Sequence, residues 1–118
     1  MNEADLKRRT KLFGLSVIKL VETLPTTSTA RTIGNQLLRS GMSVGANYRA
    51  ACRGKSKADF VAKVGISLEE ADECMYWMEL LEEARIVPVE RVKELAKEAN
   101  ELVAIFTASI KTARAHLR

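Results

Sequence analysis

Apolar residues recur every three or four positions along nearly the whole chain, and no stretch alternates with the period of two that a half-buried strand requires. Leu6, Phe13, Val17, Leu20 and Leu24 keep helical spacing, widened by Ile18 and Val21, which predicts a first helix from about Asp5 to Leu24. Pro25 ends it, and Thr26, Thr27, Ser28 and Thr29 offer hydroxyls to cap the next. A second helix, about Ala30 to Arg53, shows Ile33, Leu37, Val44 and then Tyr48 or Ala51. Gly54 follows where a left-handed C-cap favours glycine. The third, about Lys57 to Arg85, carries Val61, Val64, Leu68, Ala71, Met75 and Met78, with Phe60, Cys74 and Leu81 as a second line. Ser56 and Asp59 precede it like a capping box with Asp in place of Glu. The fourth begins near Pro88 as its first residue and carries Val92, Leu95, Ala99, Leu102, Phe106, Ala113 and Leu117.

Four helices joined by short connections predict one all-α domain over residues 1–118, an antiparallel up-down-up-down four-helix bundle. A monomeric bundle needs one apolar stripe per helix, and several helices here carry two, so subunit contacts and a homo-oligomer are expected. Gly41 and Gly45 share one helix face. Glycine inside a helix costs about 1 kcal/mol relative to alanine, so the pair implies that another helix backbone passes close by. Helices two and three form a hairpin about Arg53-Gly54-Lys55. Its register sets Arg39 opposite about position 70, where it should pair with Glu70 or Glu73. Asn47 and Tyr48 read as hydrogen-bonded packing residues, and Trp77 as a core or interface anchor.

At 47% hydrophobic residues the chain can fill a core, which excludes disorder. No apolar run approaches the roughly 20 residues that span a bilayer, and charged residues follow Met1 where a secretory signal would be apolar. A cytoplasmic protein without membrane contact is expected. Cys52 and Cys74 fall too far apart in the hairpin to bridge, so both should be free thiols. Enzyme chemistry lacks its parts. The one histidine, His116, lies next to the chain's end, no Cys/His cluster suits a metal, and no Glu-x-x-His pair suits a di-iron bundle. No enzyme, metal or cofactor is expected.

The formal charge of +4 is unevenly spread. Residues 25–55 hold Arg31, Arg39, Arg49, Arg53 and Lys55 and no acid, whereas residues 56–87 are strongly acidic. Bundle topology collects Lys7, Arg8, Arg9, Lys11, Arg49, Arg53, Lys55 and Lys57 at one end, with Lys63, Lys111, Arg114 and Arg118. Glu22, Glu79, Glu82, Glu83, Glu90 and Glu94 gather at the other. Cations at the C-termini of helices two and four need no reason beyond the helix dipole. Lys7, Arg8, Arg9 and Lys57 lie near helix starts, where that dipole disfavours them, and they point to a nucleic-acid surface. With no aromatic platform and no base-reading motif, RNA or DNA would be bound with little sequence preference.

The segments Arg39-Ser40-Gly41, Ser43-Val44-Gly45-Ala46-Asn47-Tyr48-Arg49 and Glu70-Ala71-Asp72-Glu73 with Tyr76-Trp77 resemble the four-helix bundle family of 23S ribosomal RNA intervening-sequence proteins, as does the Leu12–Pro25 opening. The resemblance spans nearly the whole chain. It implies a homopentamer without catalytic residues. It also implies a relation to accessory variability proteins of diversity-generating retroelements, which bind a reverse transcriptase and nucleic acid through a basic surface. Two readings of the function follow. One is an oligomeric bundle binding nucleic acid at its basic pole. The other is a structural or adaptor oligomer that binds a protein such as a reverse transcriptase without touching nucleic acid.

Overall fold

The computed structural model describes residues 1–116. Leu117 and Arg118, which the sequence pattern assigns to the core stripe and the basic pole, lie outside the described residues. Helices α1 (Glu3–Glu22), α2 (Ser28–Cys52), α3 (Lys57–Glu83) and α4 (Val89–Ala115) form an up-down-up-down bundle. Each helix packs on its neighbours in sequence, and α1 closes against α4 along the thinnest of the four seams. The result is a rod of 50 × 20 × 20 Å. No described helix is long and apolar enough to cross a membrane.

Local chemistry fixes the helix ends. Asn2 and Asp5 form a reciprocal capping box, with the Asp5 amide donating to Asn2 Oδ1 at 2.8 Å, so α1 starts two residues earlier than its apolar stripe indicates. Thr27 caps α2 by accepting from the Ala30 amide. Ser56 caps α3, but Asp59 does not close the expected box; its Oδ2 instead accepts from the Lys55 amide at 3.2 Å and from Lys63 Nζ at 3.0 Å. Pro88 is the N-cap of α4 rather than its first residue.

Gly54 corrects the expected left-handed cap, since no glycine here has a positive φ. Its reason is space: a Cβ there would lie 2.9 Å from the Ala51 carbonyl oxygen. The left-handed residue is Arg85, with φ 59°. The Ile86 amide bonds the Leu81 carbonyl, and the Arg85 amide bonds that of Glu82, both at 2.9 Å. This is a Schellman ending with arginine where glycine is usual.

The core is built from Leu6, Phe13 and Val17 of α1, Leu37 and Val44 of α2, Val64, Met78 and Leu81 of α3, and Leu102 and Phe106 of α4. Tyr48 and Ala51 are both buried, and the Tyr48 ring meets Phe106 across the core at 5.9 Å. Three polar residues, Thr10, Ser40 and Ser67, complete stripes that an apolar count skips. Thr10 is buried between Leu6 and Phe13 and donates to the Leu6 carbonyl at 2.9 Å. Ser67 is buried in α3 and donates to the Val44 carbonyl of α2, also at 2.9 Å. The fully buried line of α3 therefore runs Val64, Ser67, Ala71, Cys74, Met78, Leu81, while Leu68 and Met75 pack at its margin.

The glycines of α2 take the close approach of α1. A Cβ at Gly41 would stand 2.7–2.9 Å from three atoms of Val17, and one at Gly45 would stand 3.3 Å from the Thr10 backbone. Gly41→Ala gains about 1 kcal/mol in helix propensity but overpacks a buried, β-branched neighbour, which costs about 1–3 kcal/mol. It should lower unfolding free energy. Arg85→Gly should raise it by about 1 kcal/mol, the strain of a left-handed L-residue. Denaturant titration of the two variants checks both signs.

Candidate nucleic-acid interface

The antiparallel packing of α1 on α2 brings the start of one helix beside the end of the other. Between them runs a groove of about 1050 Å³ lined by Lys7, Arg8 and Lys11 from α1 and by Arg49 and Arg53 from α2. Its one acidic lining residue, Asp5, is engaged in the capping box. Lys7 shares its charge with Glu3 at 3.2 Å, a contact that holds the Glu3 carboxyl below its usual range. Arg8, Lys11, Arg49 and Arg53 are exposed and form no ion pair with a described residue. Lys55, on the turn that follows Arg53, and Lys57, the first residue of α3, are likewise exposed and unpaired at the same end of the rod. Lys57 also borders a furrow between α3 and α4 that reaches His116.

Arg9 departs from the expected set. Its guanidinium forks onto Glu98 of α4, with Nε and Nη2 each 2.7 Å from a carboxylate oxygen, and reaches Glu101 at 3.2 Å. Those acids raise its pKa further above the usual arginine value. Arg9 is therefore a strut across the α1–α4 seam and not a free cation of the pole.

Of the residues expected to be structural, all on α2 and α3, only Gly45 lines the groove. Arg39 donates to Glu70 Oε2 at 3.0 Å and, through its second terminal nitrogen, to Glu73 Oε2. Trp77 Nε1 donates to that same Glu73 oxygen at 3.1 Å, and the exposed Tyr76 ring meets the indole edge-on at 5.1 Å. Asn47 donates to the Ser43 carbonyl at 2.8 Å, and burial raises the pKa of the Tyr48 phenol. Gly41 and Gly45 take α1 as described. This network braces the hairpin and contributes no cation to the groove.

Cys52 and Cys74 are free thiols. Burial pushes Cys74 up to about 11, and burial also raises Cys52. No group of three His, Cys, Asp or Glu among the described residues could hold a metal ion.

A sequence model of the family described as 23S rRNA-intervening sequence protein matches residues 2–108. The chain is also similar to a solved structure described as a protein of unknown function from the S23 ribosomal protein family of Bacteroides thetaiotaomicron. The two share 32% identity and a TM-score of 0.84, over 89% of this chain and 97% of the other. No curated protein matches the chain.

Two measurements test the side-chain roles assigned here. Arg9→Ala should lower stability by about 1 kcal/mol, because it removes a partly exposed bidentate pair, while Lys11→Ala should stay within about 0.5 kcal/mol of the parent. In the folded protein near neutral pH, iodoacetamide should modify half-buried Cys52 before Cys74, which should react only on unfolding. Mass spectrometry of the labelled peptides reads that order.

Proposed function

The chain belongs to the 23S rRNA-intervening sequence protein family, and on that premise we propose that it is a non-enzymatic, homo-oligomeric helical bundle that binds nucleic acid, RNA or DNA, through its basic pole with low sequence specificity. One observation carries the reading: five cations from two helices converge on a single groove whose only acid among the described residues is already engaged. Arg8 stands within the first two turns of α1, where the helix dipole disfavours positive charge, and no local partner accounts for it, whereas Lys7 is matched by Glu3 one turn before it. Lys55 and Lys57 extend the same positive surface around the end of the rod. Backbone phosphates are the ligand such a surface suits, with positioning by charge and no element shaped to read base edges.

A ring would repeat the pole once per subunit, and five subunits is the number the family resemblance implies. The outer face of α3 favours self-association, since Ile66 and Tyr76 are exposed there beside Glu69 and Asp72. The same acidic, partly apolar face favours the second reading, an adaptor that seats a protein such as a reverse transcriptase without contacting nucleic acid.

Salt separates the two. Binding of a labelled RNA should weaken steeply with added salt, by about 0.7 logarithmic units per tenfold rise in salt for each phosphate neutralised on a single strand. Replacing Arg8, Lys11, Arg49 and Arg53 together by Glu should abolish binding while leaving the helical content intact. Full retention of binding by that variant would overturn the basic pole. Light scattering at micromolar concentration tests the assembly, and a mass of one chain would overturn it.

A further inference from the structure

The groove between α1 and α2 contains side chains that charge alone does not explain. Beyond its cations, toward the middle of the rod, it is lined by Leu12, Leu15, Ile18 and Met42. Leu12, Leu15 and Met42 are 51%, 49% and 50% exposed, large apolar side chains left outside the core. Between the walls lie Thr10, Gly14, Gly45 and Ala46, small residues at the crossing of the two backbones. The groove is thus cationic at one end and apolar at the other.

We infer that this groove is a site for an unpaired nucleic-acid strand, with the phosphates running along Lys7, Arg8, Lys11, Arg49 and Arg53 and with bases laid against Leu12, Leu15 and Met42. The inference rests on the nucleic-acid reading above and narrows it. Base pairing excludes a duplex from the apolar end. A duplex would touch only the outer cations, and its bases, stacked and paired, would leave Leu15 and Met42 in water. A single strand can bend into the furrow and turn its bases outward from the phosphates. Leucine and methionine are among the residues that proteins place against unstacked bases. Cations stand on both walls, and a strand charged at every nucleotide can meet both, whereas an acidic peptide helix offers its charge from one stripe.

The test compares an RNA of about 16 nucleotides, alone and annealed to its complement, with the full chain at one fixed salt concentration. The single strand should bind at least about tenfold more tightly than the duplex. Leu15→Ser with Met42→Ser, both at half-exposed positions, should weaken the single strand about tenfold, leave the duplex unchanged, and leave the salt slope of single-strand binding unchanged, because no phosphate contact is lost. Lys11→Ala with Arg49→Ala should instead flatten that slope. Equal affinity for strand and duplex, or a tighter duplex, would overturn the inference and leave the basic pole standing. Binding of neither would overturn both. Tighter binding of a poly-glutamate peptide than of either RNA would overturn it in favour of an acidic protein partner.

Discussion

Val17 occupies the space that a side chain at position 41 would fill, and the N-terminal half of the bundle is arranged around that substitution of one helix's side chain for another's. A β-branched residue seated on a glycine draws two backbones together, and Gly45 against Thr10 repeats the approach one turn on. Thr10 can lie in this contact because its hydroxyl is satisfied by its own helix at Leu6 and Lys7. Cationic side chains of the two helices flank the crossing along its two edges. Lys7, Arg8 and Lys11 take one edge and Arg49 and Arg53 the other. The groove runs beside this close packing, with Gly45 among its lining residues.

Charge on α1 is divided between two tasks by helical phase. Arg9 faces α4 and is consumed in a fork with Glu98, while Arg8 and Lys11 face the groove and remain unpaired. An ion pair of this partly exposed kind contributes little to stability but ties α1 to α4, while the rotation of α1 about its own axis is set by its core residues Leu6, Phe13 and Val17. That rotation decides which lysines and arginines point into the groove. Arg39 likewise ties the hairpin, holding Glu70 and Glu73 on the α2–α3 seam and, through Glu73, the indole of Trp77.

Much of this could be read from the chain. Pro25, Pro88 and the three-four spacing from Leu6 to Phe106 specify four helices, and hairpin register places Arg39 near Glu70. What escaped depends on contacts that spacing does not encode. The partner of Arg9 lies 89 residues away on a helix whose rotation is set by packing. Thr10 and Ser67 sit at buried stripe positions, but a count of apolar residues passes over hydroxyls that find a carbonyl within reach. Gly54 invites a left-handed reading because glycine usually serves that purpose, whereas here an adjacent carbonyl excludes a side chain. Arg85 gives no signal at all, since its conformation is imposed by Ile86 and Val87 turning back to the core. For the groove, the signal was present as cations near the start of α1, but the apolar residues beside them were indistinguishable from core until burial separated them.

The α1–α4 seam has a consequence for how the molecule comes into being. Every other helix contact joins neighbours along the chain, so most of the native structure can form by zipping successive hairpins, with little loop entropy lost at each step. Only the last act, bringing the two ends of the sequence together, spans the whole length, and it is the step with the fewest contacts to reward it. The protein is in effect a folded strip whose two edges are fastened by Arg9 and its two glutamates, and a strip of that kind can complete three helices before its ends have met.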